Sequence, residues 1–215
     1  MNIENFVSTA AIYALPVIFA ITLHEAAHGY VARHFGDHTA EMEGRISVNP
    51  LRHIDPIGTV LVPLVTLFFA GLLFGWAKPV PVNFGNLRRP KKDMLWVAAA
   101  GPGANLVMAV FWAMAIKLAI AMPGNYFALP MVEMGKAGVM INTVLMVLNL
   151  FPLPPLDGGR IAVSLLPPRL AWRFARIEPY GLFILVFLLA SGILGVLLWP
   201  AVDGTLHLLS ALFDF

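Results

Sequence analysis

Apolar residues fall in five long runs, 6–35, 57–74, 94–122, 131–151 and 181–199. Each is continuous, without the alternation of a half-buried strand. At 1.5 Å per residue each is about as long as a membrane crossing requires, which predicts helices. The connections between them read EMEGRISVNPLRHIDP, GWAKPVPVNFGNLRRPKK, PGNYFALP and DGGRIAVSLLPPRLAWRFARIEP. None has the length of a separate soluble domain, so residues 1–215 are expected to form one domain. Two pieces of these connections, GRISVNP (44–50) and KPVPVNF (78–84), combine short alternation, β-branched residues and proline. They are expected as extended or edge-strand pieces at the membrane surface. Pro63, Gly71 and Gly75 interrupt the second run and leave room for a segment that enters and returns.

Composition supports the membrane reading. Of the residues 59% are hydrophobic and only 12% charged. Soluble domains carry about twice that charge. The predicted class is an all-α polytopic membrane protein: a helical bundle with short extended or β elements at the surface and a re-entrant segment. With no cysteine, disulfides, thiolate metal sites and a cysteine nucleophile are excluded. A net charge of +2 does not indicate nucleic acid, because no aromatic-basic module accompanies it. The N-terminal MNIENFVSTA lacks a basic stretch and a small-residue cleavage pattern, so the first run is expected to stay as a helix.

The basic residues test the topology. If the second run makes no net crossing, Arg33, Arg45, Arg52, Lys78, Arg88, Arg89, Lys91, Lys92, Arg160, Arg169, Arg173 and Arg176 share one face. That is twelve of the fourteen lysines and arginines. The positive-inside rule then makes that face cytoplasmic.

The first run ends in ITLHEAAHGYVARHF. HEAAH is an H-E-x-x-H pattern. On a helix His24 and His28 lie one turn apart on one face and can reach a single metal ion, while Glu25 stands close enough to reach a water there. Zinc is the expected metal, with Glu25 as general base. Ionisable residues inside an apolar run are costly and mark function. Two histidines leave a third ligand to find among His34, His38, His53, Asp55, Asp157 and His207. The first four read as solvated loop residues and His207 as interfacial. Asp157 follows the helix break in NLFPLPPLDGGR, where Gly158 and Gly159 allow close backbone approach. The residues leave two readings of Asp157 open: a ligand, or an N-cap for the next helix. It meets His24 and His28 only if the second run makes no net crossing, which the basic residues favour independently.

HEAAH on the first helix, AGPGAN (100–105) opening a later one and NLFPLPPLDGG after the next together resemble the site-2 protease family of intramembrane zinc metalloproteases. GWAKPVPVN is similar to the compact bacterial branch of that family, and neither a PDZ domain nor a CBS pair is expected. The resemblance spans about residues 21–160. It implies zinc held by His24, His28 and Asp157, with Glu25 as the general base. It also implies a role for Asn149 in holding the substrate backbone or an oxyanion, beside the plainer reading of a hydrogen bond at a helix C-terminus. Asn105 matches the family's GPxxN asparagine and reads as a helix-packing residue. GRISVNP resembles an element thought to pair with an unwound substrate. The expected partners are a transmembrane protein substrate and membrane lipid. The expected location is a bacterial inner membrane, with the site toward the cytoplasm. The competing reading is a metal-binding or metal-transporting membrane protein without hydrolytic activity.

Overall fold

The computed structural model describes residues 3–53, 55–62, 78–122 and 124–214. Most of the second apolar run, with its expected re-entrant path, lies outside the described residues. The helices are α1 (Ile3–His34), α2 (Thr39–Met42), α3 (Pro90–Ile120), α4 (Ala128–Leu150), α5 (Asp157–Leu165), α6 (Pro168–Ala175), α7 (Glu178–Ala190) and α8 (Ile193–Phe213). Four are long and apolar enough to cross a membrane: α1 over Ala11–His34, α3, α4 and α8. The protein is an all-α polytopic membrane protein. No strand forms among the described residues. The 78–83 piece carries no regular secondary structure, although the backbone is extended at Asn49 and Asn83.

The last apolar run differs from its expected extent. Where the pattern marks 181–199, the chain forms two helices, α7 and α8, separated at Gly192 with φ +76°. Pro200, at which the run stops, sits inside α8, which continues to Phe213. A residue with positive φ ends a helix more decisively than a proline within its first turns, and membrane helices tolerate proline.

α1, α3 and α4 form the centre of the bundle. Ala109, Trp112, Ala113 and Ile116 of α3 pack with Val139 of α4 and Leu209 of α8. Ala32 of α1 packs with Val97 of α3 and with Leu87 just before it. α3 starts with Pro90 at its first position. The Asp93 carboxylate, in the first turn, reaches back to accept the Arg89 N–H at 2.7 Å.

The ends of these helices bear on the crossing question. The Arg88 N–H donates to the Phe35 carbonyl at 3.0 Å, and the Lys78 N–H to that of His53 at 3.0 Å. The chain thus leaves the end of α1 and comes back to it before α3 begins. Lys91 Nζ donates to the Leu166 carbonyl and Ser164 Oγ to the Lys91 carbonyl, each at 2.5 Å, which places the end of α5 beside the start of α3. The segments carrying most of the twelve basic residues therefore meet at one end. Lys117, in the last turn of α3, pairs instead with Asp214.

Asp37, 1% exposed, ties this end together. Its carboxylate accepts from Thr39 N, Thr39 Oγ1, Asn83 N and Asn86 Nδ2 at 2.5–3.1 Å. Burial pushes the carboxyl up, but these hydrogen bonds prevail and hold it below the usual carboxylate range.

Candidate metal centre

The HEAAH residues lie in the C-terminal half of α1, and Asp157 opens α5 after the break that follows α4. The structure brings His24, His28 and Asp157 together. His24 Nε2 and His28 Nε2 are 3.1 Å apart, and each is 3.3 Å from Asp157 Oδ2. His24 and His28 are 8% and 9% exposed. Asp157 does not cap α5: the cap position is Leu156, and no side chain caps that helix. Its Oδ2 is buried and has no hydrogen-bond partner among the described residues.

The local backbone explains this convergence. A side-chain carbon on Gly101 of α3 would lie 2.6 Å from His24 Nε2 and closer still to His28 Nε2, so only glycine lets α3 pass the two rings. A side-chain carbon on Gly158 would collide with the Leu150 and Phe151 carbonyls. Glycine there lets the first turn of α5 fold back against the end of α4, which carries Asp157 to α1. His28 Nδ1 lies 2.7 Å from the Val97 carbonyl. A carbonyl only accepts, so Nδ1 carries the proton and Nε2 faces the cluster with its lone pair.

Three basic atoms thus converge, one of them a buried carboxylate oxygen without a partner. Zinc in a tetrahedral site with bonds of about 2.0–2.2 Å separates its ligand atoms by roughly 3.3–3.6 Å. The triangle here has sides of 3.1, 3.3 and 3.3 Å. The donor set, two imidazoles and a carboxylate, also suits zinc, and three protein ligands leave one position open. Among the described residues this is the group that could hold a metal ion.

Glu25 lines a cavity of about 180 Å³ together with His24, His28, Asn149, Asp157 and Arg160. Its Oε2 accepts the Val80 N–H at 2.7 Å. Arg45 Nη2 holds the preceding carbonyls, Lys78 at 2.9 Å and Pro79 at 3.2 Å. The 78–83 piece is therefore the wall of the cavity beside Glu25. Asn149 reaches the cavity while its Nδ2 donates to the Leu145 carbonyl of its own helix at 3.0 Å.

The other candidate ligands stand elsewhere. His38 pairs with Glu41 at 2.7 Å on the surface, and Asp55 caps the turn at Pro56. His207 is exposed on α8. His53 is not a solvated loop residue: it is 2% exposed, with Nε2 against the Ser47 carbonyl at 2.7 Å. The sequence pattern also missed contacts around the rings. Asn105, read as a packing residue, lies with Oδ1 2.6 Å from His24 Nδ1, and Asn142 adjoins it.

No family model and no solved structure matches the chain. Over 93% of its length it is 37% identical to the protein named "Putative zinc metalloprotease YwhC" of Bacillus subtilis, of which it covers 91%. The chain belongs to this family of zinc metalloproteases. Two relatives named "Putative zinc metalloprotease Rip2" are similar across most of the chain. The one from Mycolicibacterium smegmatis is 31% identical over 81% of the chain and 64% of its own length. The one from Mycobacterium tuberculosis (strain H37Rv) is 29% identical over 90% of the chain and 74% of its own length. Membership in this family makes zinc the metal, and the His24, His28 and Asp157 cluster suits it.

Proposed function

We propose that the protein is an intramembrane zinc metalloprotease of the site-2 protease type, cutting peptide bonds within transmembrane segments of other proteins. The observation that carries this reading is the three-atom cluster inside the bundle with Glu25 on the same cavity. His24, His28 and Asp157 hold the zinc. Zinc so held supplies a Lewis acid that acidifies water and polarises a carbonyl. Glu25 takes a proton from the attacking water and passes it to the leaving amine, in the role of the glutamate of H-E-x-x-H. Its orientation comes from the Val80 N–H. Asn149 faces the same cavity and lies within reach of a substrate backbone.

Depth supports the intramembrane setting. His24 is ten residues before the end of α1 at His34, roughly 15 Å along the axis. The hydrocarbon core is about 30 Å thick. A substrate helix has to unwind before reaction, because its carbonyls are already hydrogen-bonded. The basic end of the bundle is assigned to the cytoplasm of a bacterial cell membrane by the positive-inside rule.

The test uses the full chain in proteoliposomes with a reporter carrying one transmembrane segment. Wild type is expected to cleave the reporter. Glu25→Gln is expected to keep zinc and lose cleavage by at least about 100-fold. Zinc uptake into the vesicles without cleavage would replace this reading with metal transport. Loss of zinc in Glu25→Gln would remove Glu25 from the role of base.

A further inference from the structure

Two asparagines lie wholly buried between α1, α3 and α4, where an unpaired amide is costly: Asn105 and Asn142, both 0% exposed. Asn142 Nδ2 donates to the Gly138 carbonyl at 2.9 Å, and Asn142 Oδ1 accepts from Asn105 Nδ2 at 3.1 Å. Asn105 Nδ2 also donates to the Ala20 carbonyl at 3.2 Å, and Asn105 Oδ1 faces His24 Nδ1 at 2.6 Å. Backbone carbonyls can only accept. The Gly138 carbonyl therefore fixes which way the Asn142 amide points. The Ala20 carbonyl and Asn142 Oδ1 together fix Asn105. The oxygen of Asn105 is left facing His24, so His24 Nδ1 must carry a proton.

We infer that Asn105 and Asn142 are a positioning pair for the metal centre, a relay of two amides that holds His24 with its Nε2 lone pair toward the metal position. The inference rests on the reading of His24, His28 and Asp157 as the zinc site. His28 reaches the same state through a backbone carbonyl, that of Val97, which no substitution removes. His24 depends on side chains. A flipped Asn105 amide would offer N–H to His24 Nδ1, and the ring proton would move to Nε2, the atom the metal needs. Asn142 and the Ala20 carbonyl exclude that flip. Helix packing alone would need hydrogen bonds here, but not this orientation at each link.

The relay is tested on the full chain in nanodiscs with two measurements. One is zinc affinity by competition with a chelator. The other is nitrogen-15 NMR of histidine-labelled, metal-free protein, reading the His24 ring. Wild type is expected to show a His24 Nδ1 proton protected from exchange. Asn105→Leu is expected to lose that protection and weaken zinc about 10–100-fold. Asn142→Leu, which frees Asn105 to turn, is expected to weaken zinc roughly 10-fold or less and to expose the same proton. Asn142→Asp keeps an oxygen toward Asn105 and is expected to restore both readouts. A packing role predicts instead that Asn142→Leu lowers stability while the His24 proton and zinc affinity stay as in wild type, and that result overturns the relay. So does a wild-type His24 without a proton on Nδ1. Equal zinc in wild type and Asp157→Ala would overturn the zinc-site reading instead, and the His24 proton would still report on the relay.

Discussion

α3 and α4 bury 33% of their most apolar stretch inside the bundle, and α8 buries 11%. All three are long, apolar and of membrane-crossing length, yet they do different work. α3 places Asn105, Gly101 and the Val97 carbonyl against the rings of His24 and His28, and α4 backs Asn105 with Asn142. α8 adds Leu209 to the core and turns Val196, Leu197 and Leu208 outward. In lipid an apolar side chain gains little by being buried, so an outward-facing helix can be simply apolar. A helix that carries chemistry hides polar groups, each of which is costly unless it is paired. Membrane crossing is a property of composition, whereas the metal centre is a property of close packing at particular residues.

The comparison breaks most sharply at Asp157. Asp157→Ala removes one corner of the triangle and is expected to cut zinc affinity by about 100-fold or more, because a three-ligand site becomes a two-histidine site. Zinc per chain after dialysis against a weak chelator reads this directly. Unchanged zinc would move the third ligand elsewhere and leave the buried Oδ2 unexplained.

One substitution made in three places sharpens it further. Gly101→Ala is expected to weaken zinc about 10–100-fold, since its methyl would meet both rings. Gly103→Ala on the same helix and Gly204→Ala on α8 meet nothing within 4 Å. Both are expected to bind zinc as wild type does and to gain a few tenths of a kcal/mol in helix stability. Weakened zinc in all three would point to a general loosening of the bundle.

The smallest expected effect lies at the loop end. The Asp37 carboxyl is held below its unfolded value, so its contribution is present above the ordinary carboxylate range. It is lost as pH falls through that range toward the lower folded value. Asp37→Ala is expected to cost about 1–3 kcal/mol and to flatten the acid limb of the stability curve. Thermal unfolding across pH 3–7, at about one-unit steps, checks it. A variant whose acid limb matches wild type would show that other carboxylates govern it.

Much of this was legible along the chain. HEAAH named two ligand candidates and a base, because i and i+4 on a helix always share a face. Asp157 was legible only in combination, since a carboxylate before two glycines fits a cap as well as a ligand. The no-net-crossing path was inferred from charge, and the bonds from Arg88 to Phe35 and from Lys78 to His53 place the flanks of that run beside each other near the end of α1. The division of the last run was not legible, because Pro200 looks like a stronger stop than Gly192 until the backbone angle is seen. His53 was misread for a similar reason: loop composition does not report burial.

By itself the sequence determined that this is a helical membrane protein with an H-E-x-x-H pattern in its first helix. Composition and periodicity act locally, and a bilayer admits few other solutions for such runs. Only the tertiary structure decided which carboxylate completes the triangle, which glycine makes room for it, and which amide faces His24. Those are contacts between residues as far apart as 24 and 157, set by three-dimensional packing that no local pattern encodes.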